Sequence, residues 1–264
     1  MHDASKKPAV SLSVGELAFA LALLHSEEAA ADLVRQQFGA STEREVELVV
    51  VASGHSLLAR GLLDEAGGEY ELAPALAESV RRLAEAGRTI LCNRVEGSET
   101  SHLAFHFAPG GPVKHSVRDE RVHELEVLDG LEEVLGHAAI FYSAPARAGM
   151  NIAPARLPPA EVDETFFSQD PVFIRDRLLR AGVPFETSLA LTDSIINRRF
   201  WGSVARVDHP DDREPTAEHR VSLLRGATEL WLLRPRRLGD VWLIELSLCP
   251  RDKLKEVFSG ILSE

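Results

Sequence analysis

Cysteine is scarce in this sequence: two in 264 residues, Cys92 and Cys249, with no spacing motif between them. That excludes a disulfide scaffold and a zinc ribbon, and it suits a reducing compartment. Long apolar runs are missing too. None reaches the roughly 18 residues that a membrane-spanning helix requires. The opening MHDASKKPAV has no apolar stretch and cleavage site behind it, so no signal peptide is expected. Basic segments are absent as well. The net charge is −12, and it stays negative in every part: −6 over residues 1–90, −4 over 91–150 and −2 over 151–264. Without a basic stretch, nucleic-acid binding has no counterion-release term to draw on, and an anionic membrane surface is disfavoured.

The motifs of chemistry are also missing. There is no G-x-S-x-G elbow in strand-turn-helix context, no phosphate-cradling G-x-x-x-x-G-K-[ST] loop and no dinucleotide fingerprint. Paired acids such as Glu27-Glu28, Asp211-Asp212 and Glu132-Glu133 fall in first helical turns or a loop, where they complement a helix dipole or face water. Of ten histidines, His102 and His106 share one strand face, and His115 and His123 follow on neighbouring strands. No cysteine or closely spaced carboxylate completes a metal set, so these histidines are expected to face solvent. The reading is of a protein with no enzyme activity, no cofactor and no metal.

What is present is a strong pattern. Residues 1–10 read as a loose tail. Capping boxes at Ser13-Val14-Gly15-Glu16 and Thr42-Glu43-Arg44-Glu45 open helices, with another helix between them from near Ser26 to Gly39. The run VELVVVAS is β-branched, but its cap and its length to about Ala59 predict a helix. Leu72, Leu76, Val80 and Leu83 form one face of a fourth helix that ends at Gly87. The period then falls to two. RTILCNRVE, ETSHLAFHF, PVKHSVRD and RVHELEVL read as four antiparallel strands joined by short turns, and a short helix runs from Asp129 to about Gly136.

A Pro/Ala/Gly-rich linker at 143–160 follows. The order of elements then repeats. Helices are predicted at 160–168, 171–181 and 187–198, and strands at RRFWGSVARVD, HRVSLLRG, TELWLLRP and DVWLIELS, with a polar loop from His209 to Thr216. A last helix follows Pro250. The closing helices share Leu131-Glu132-Glu133-Val134 and Leu254-Lys255-Glu256-Val257. The fold class predicted is α+β: one pseudo-duplicated domain of two halves, about 11–138 and 160–264, with a central antiparallel sheet and helical bundles at its N- and C-terminal ends.

All three tryptophans lie in the second strand set. Leu230, Trp231, Leu232 and Leu233 make a strand apolar on both faces, and VWLIELS is similar, so both need cover from helices or from a partner. Core packing accounts for most of these residues. The candidate partner-binding residues are Phe200, Trp201, Trp231, Leu233 and Phe258, with Trp231 and Phe200 ranked ahead of Trp242.

Several stretches resemble the EspG family, the cytosolic chaperones of type VII (ESX) secretion. They are Glu16-Leu17 and its helix; Arg60-Gly61-Leu62-Leu63 with Gly67-Gly68 and ELAPALAESVRRL; Arg199-Phe200-Trp201-Gly202-Ser203-Val204; and the tail with its turn at Leu238-Gly239-Asp240, the Trp242 strand and Pro250-Arg251-Asp252 before an amphipathic helix. The sequence departs from the family at Leu224–Trp231, where an Asp-Thr and a Gly-Arg-Tyr are usual. The resemblance implies a quasi-twofold α+β fold with no enzyme activity. It implies a cytoplasmic chaperone that holds a helical PE–PPE-like substrate soluble until secretion. The alternative is a winged-helix regulator with a C-terminal sensor domain, since GLLDEAGGEYELAPAL after three helices has the order of a wing. Its recognition segment would offer only Arg60, too little for a major-groove reader.

Overall fold

The computed structural model describes residues 9–24, 27–40, 42–119, 121–209 and 216–263. The fold is α+β with a large antiparallel sheet, as the sequence predicts. Ser26, most of the tail and most of the polar loop after His209 lie outside the described residues. The chain divides into two compact units. The first takes the described residues up to Thr89, then Leu103–Val134 and His209; the second takes Ile90–His102, Leu135–Asp208 and the described residues from Thr216 on.

The first unit opens with β1 (Val10–Ser13), which the sequence reading left as tail. It pairs antiparallel with β7 (Val122–Val127), Val10 opposite Leu125 and Leu12 opposite His123, and both apolar side chains are buried. The capping box at the start of α1 (Val14–Leu24) forms as read: the Ser13 N–H donates to Glu16 Oε2 at 2.8 Å, and the Glu16 N–H donates to Ser13 Oγ at 3.2 Å. Glu16 then receives Arg60 Nη1 at 2.7 Å and Ser56 Oγ at 2.8 Å, which ties α1 to the end of α3 (Glu43–Ala59). Burial pushes this carboxyl up, but the Ser13 N–H, Arg60 and Ser56 outweigh it and hold Glu16 below the usual carboxylate range. The second box, Thr42 with Glu45, also forms, and the β-branched run behind it is helical. Between α1 and α3 lies α2 (Glu27–Phe38).

A hairpin then appears that the sequence suggested only as a wing: β2 (Leu63–Ala66) and β3 (Glu69–Leu72), turned by Gly67 and Gly68 at φ +67° and +86°. Leu72 therefore ends a strand, and α4 (Pro74–Ala84) buries Leu76 and Val80. β4 (Arg88–Glu96), β5 (Glu99–Ala108), β6 (Gly111–Arg118) and β7 match the four predicted strands, and the first unit's strand order is β1-β7-β6-β5. Its core joins Leu12, Leu17, Leu57, Leu76, Val113 and Leu125. α5 (Leu131–Phe141) runs beyond Gly136, and the Asp129 N–H is capped by Glu133 at 2.7 Å.

In the second unit, the segment read as linker contains β8 (Ala155–Leu157), whose Leu157 is fully buried and pairs with Ile244. α6 (Pro159–Phe166), α7 (Pro171–Arg180) and α8 (Phe185–Ile196) follow, then β9 (Phe200–Asp208), β10 (Thr216–Arg225), β11 (Leu230–Leu238), β12 (Val241–Leu248) and α9 (Arg251–Ser263). The strand order is β4-β9-β10-β11-β12-β8. Leu230 to Leu233 are all buried, so β11 is covered on both faces as expected. One face packs Leu224, Trp231, Leu233 and Leu246 under Ile174, Leu178, Leu191 and Ile195 of α7 and α8. The other expectation fails: the start of β12, Val241 and Trp242, is exposed.

The same order of elements appears twice: an edge strand, helices, four antiparallel strands and a closing helix. In each case the first strand returns to pair with the last, β1 with β7 and β8 with β12. The shared tetrapeptide is not in step with this repeat. Leu131 is the first residue of α5, whereas Leu254 is the fourth of α9.

Candidate docking surface

The residues nominated from the sequence are mostly core. Trp231 has no exposed surface, and its Nε1–H donates to Ser194 Oγ at 2.9 Å. Phe200 is buried beside Tyr142, with the Arg94 guanidinium 5.5 Å from its ring centre. Leu233 and Phe258 are buried too. In this conformation none of the four presents a side chain to a partner. Trp201 is half-buried, between Phe166 at 5.4 Å and the Arg198 guanidinium at 5.5 Å. The ranking of Trp231 and Phe200 ahead of Trp242 is corrected: Trp242 is 56% exposed. Alternation fixes which face a strand residue takes, but not whether that stretch lies under a helix.

A set of exposed apolar side chains in the second unit lies on α7, α8 and the end of α6. Asp170 caps α7, accepting the N–H groups of Val172 at 2.9 Å and Phe173 at 3.2 Å, and Pro171 takes the first helical position. This start fixes the phase of the helix. Ile174 and Leu178 go into the core while Val172 and Phe173 face out. On α8, Leu191 and Ile195 are buried and Phe185 and Leu189 are exposed. Phe167, just past α6, is 75% exposed and Phe185 57%. A cavity of about 330 Å³ opens between the two helices, lined by Val172, Arg175, Leu189, Thr192 and Ile196 among others. Val172 and Leu189 are the exposed large apolar residues of its lining, and Phe167, Phe173 and Phe185 are exposed on the same elements; exposed apolar side chains along two helices are what a helix-in-groove partner uses. Phe185 stands ahead of the helix predicted at 187–198, so its exposure on the first turn of α8 was not legible.

A second feature is polar and buried. Thr89 Oγ1 lies 2.9 Å from His106 Nδ1 and 2.9 Å from His209 Nε2. His106 Nε2 is 3.4 Å from His115 Nδ1, and His115 Nε2 is 2.8 Å from His123 Nδ1. The row runs from Thr89, the last residue of the first unit's opening stretch, across β5 and β6 to β7 on one face. His123 is buried and His106 and His115 are half-buried rather than facing solvent as expected, while His102, bonded to Asn93 at 2.7 Å, stands exposed. Burial, with the neighbouring His115 and His209, pushes His106 down to about 3. Burial and His123 push His115 down to about 4, and burial lowers His123. A neutral imidazole has one donor and one acceptor, so such a row can be satisfied end to end; a protonated ring has two donors and breaks it. Among the described residues no group of three or more His, Cys, Asp or Glu is placed to hold a metal ion, and no helix is long and apolar enough to cross a membrane.

The sequence profile of a family described as uncharacterised protein YfjC matches residues 9–167, more than half of the chain. The chain belongs to that family. No curated protein matches the sequence. Among solved structures the fold is similar to that of the Mycobacterium tuberculosis type VII secretion system chaperone EspG5, solved in complex with a PE25–PPE41 dimer. The match has a TM-score of 0.67 at 12% identity and covers 97% of this chain and 96% of that one. At that identity the likeness concerns the fold, which is the one the EspG resemblance implied.

Proposed function

We propose that this protein is a non-enzymatic, cytoplasmic chaperone that holds a helical secretion substrate of PE–PPE type through the exposed face of α7 and α8. The observation that carries the reading is the end-to-end likeness of the fold to a type VII secretion system chaperone solved in complex with a PE25–PPE41 dimer. The apolar surface at Phe167, Val172, Phe173, Phe185 and Leu189 supplies a place for such a client. Of the residues nominated from sequence, Trp231 and Leu233 serve it from below, packing under Ile174 and Leu191. Trp201, half-buried against Phe166, flanks it.

The regulator reading has its hairpin in β2–β3. But α3 ahead of that hairpin carries Glu43, Glu45 and Glu47 against Arg44, the wrong sign for phosphate contacts. The test is affinity capture from the native cell with the wild-type chain and with a Phe173→Asp, Phe185→Asp double variant. The expected result is a helical client retained by the wild type and lost by the folded variant, since removing an interface anchor costs about 2 kcal/mol or more, roughly thirtyfold in affinity. Equal retention by both would overturn the reading.

A further inference from the structure

We propose that the outer end of the β11–β12 hairpin is a docking site for an acidic, partly apolar peptide segment, separate from the α7–α8 surface. The chain as a whole carries a net charge of −12, yet this corner is positive. A cavity of about 380 Å³ is lined by Arg220 of β10, Arg234 and Arg236 of β11, Trp242 of β12, and Glu256 and Ile261 of α9. Among the described residues lining it, three guanidiniums accompany one carboxylate, and that carboxylate is already engaged: Lys253 Nζ donates to Glu256 Oε2 at 2.5 Å, and Lys253 and Arg234 both hold Glu256 below the usual range. Arg236 makes a long approach to Glu245, 4.0 Å, and Glu245 is shared with Arg156 at 3.4 Å. Guanidinium forks match carboxylates in two-pronged fashion and lose little hydration when they do so.

The apolar half of the site is equally plain. Leu238 and Val241, opposed across the hairpin, are exposed on the face that Arg234 and Arg236 take, and Trp242, exposed opposite Arg237 on the other face, reaches the cavity at its rim. Exposed apolar side chains on the face of loosely engaged arginines, with an indole at the rim, suit a peptide in which acids alternate with bulky apolar residues. A bare phosphate or a nucleic acid would use the arginines and leave Leu238 and Val241 in water. The charge complementarity and the apolar rim together select a peptide as the occupant.

The test uses the full chain and a fluorescein-labelled octapeptide of alternating glutamate and leucine, with the same peptide carrying glutamine for glutamate as its control. Binding is read by anisotropy. The glutamate peptide should bind at least tenfold more tightly than the glutamine peptide and weaken as salt rises. An Arg234→Gln, Arg236→Gln double variant should lose about tenfold in affinity, and Trp242→Ala several-fold. Because the three side chains are partly or largely exposed, melting temperatures should stay unchanged, which separates lost binding from lost folding. The proposal is overturned if the two peptides bind alike, if the variants bind like the wild type, or if phosphatidylserine vesicles or a DNA oligonucleotide bind through the same residues while the peptide does not. The Phe173→Asp, Phe185→Asp variant should bind the peptide normally, so failure at one surface is read separately from failure at the other.

Discussion

Acid should destabilise this protein earlier than its carboxylates can explain, and the histidine row is the reason. In the folded chain His106 and His115 are held near 3 and 4, their neutral rings linked to each other, to Thr89 and to His123. In the unfolded chain they return to about 6.5. Between those limits the unfolded state binds more protons than the folded one, so stability rises with pH and is lost as pH falls. From about pH 7 to about pH 5 the unfolded chain gains about three-quarters of a proton on each ring and the folded chain almost none. Each ring therefore removes about 2 kcal/mol, the pair about 4 kcal/mol, and His123 acts in the same direction. Glu16, held below the usual range, loses its contribution only at lower pH, as the carboxylates protonate, so the window from about pH 6.5 to about pH 5 belongs to the imidazoles. The assay is urea unfolding across this window, followed by tryptophan fluorescence. The wild type should lose about 4 kcal/mol, and a His106→Gln, His115→Gln variant less than half of that. A flat wild-type profile, or a variant that falls as steeply, would refute the reasoning.

Gly226→Ala should destabilise by about 1–3 kcal/mol, because the added carbon would stand 2.8 Å from the Cα of Ser194, a buried residue of α8, where the neighbour is backbone and cannot swing aside; thermal unfolding measures it. Trp231→Ala should cost about 3–5 kcal/mol of folding stability, the signature of a core tryptophan, and a fully stable variant would return the residue to the surface. Glu16→Gln should cost about 2 kcal/mol, less than the full penalty for breaking a buried pair since Arg60 is 41% exposed and can reach water; a denaturant midpoint unchanged from the wild type would contradict it.

The features legible in the sequence are those that a few adjacent residues decide. The boxes at Ser13 and Thr42 and the cap at Asp170 formed where they were read, because each needs only partners two or three positions away. The eight strands of the two main sets were legible from their period of two. β1 and β8 were not: four and three residues are too few to show a period, and each is a strand only because a distant one, β7 or β12, offers its edge. Trp231 and Trp242 look alike in sequence, but one lies beneath α7 and α8 and the other beyond any cover, a difference made by tertiary packing alone. The histidines were correctly placed on neighbouring strands. Their burial was not legible, since strand alternation assigns a face but not what covers it.

The central claim is that α7 and α8 hold a helical client, and backbone hydrogen exchange on the chain with and without its captured client tests it most directly. The account predicts that protection on binding concentrates in residues 167–196, around Phe167, Phe173, Phe185 and Leu189. Protection that leaves this stretch unchanged while the client stays bound would contradict it.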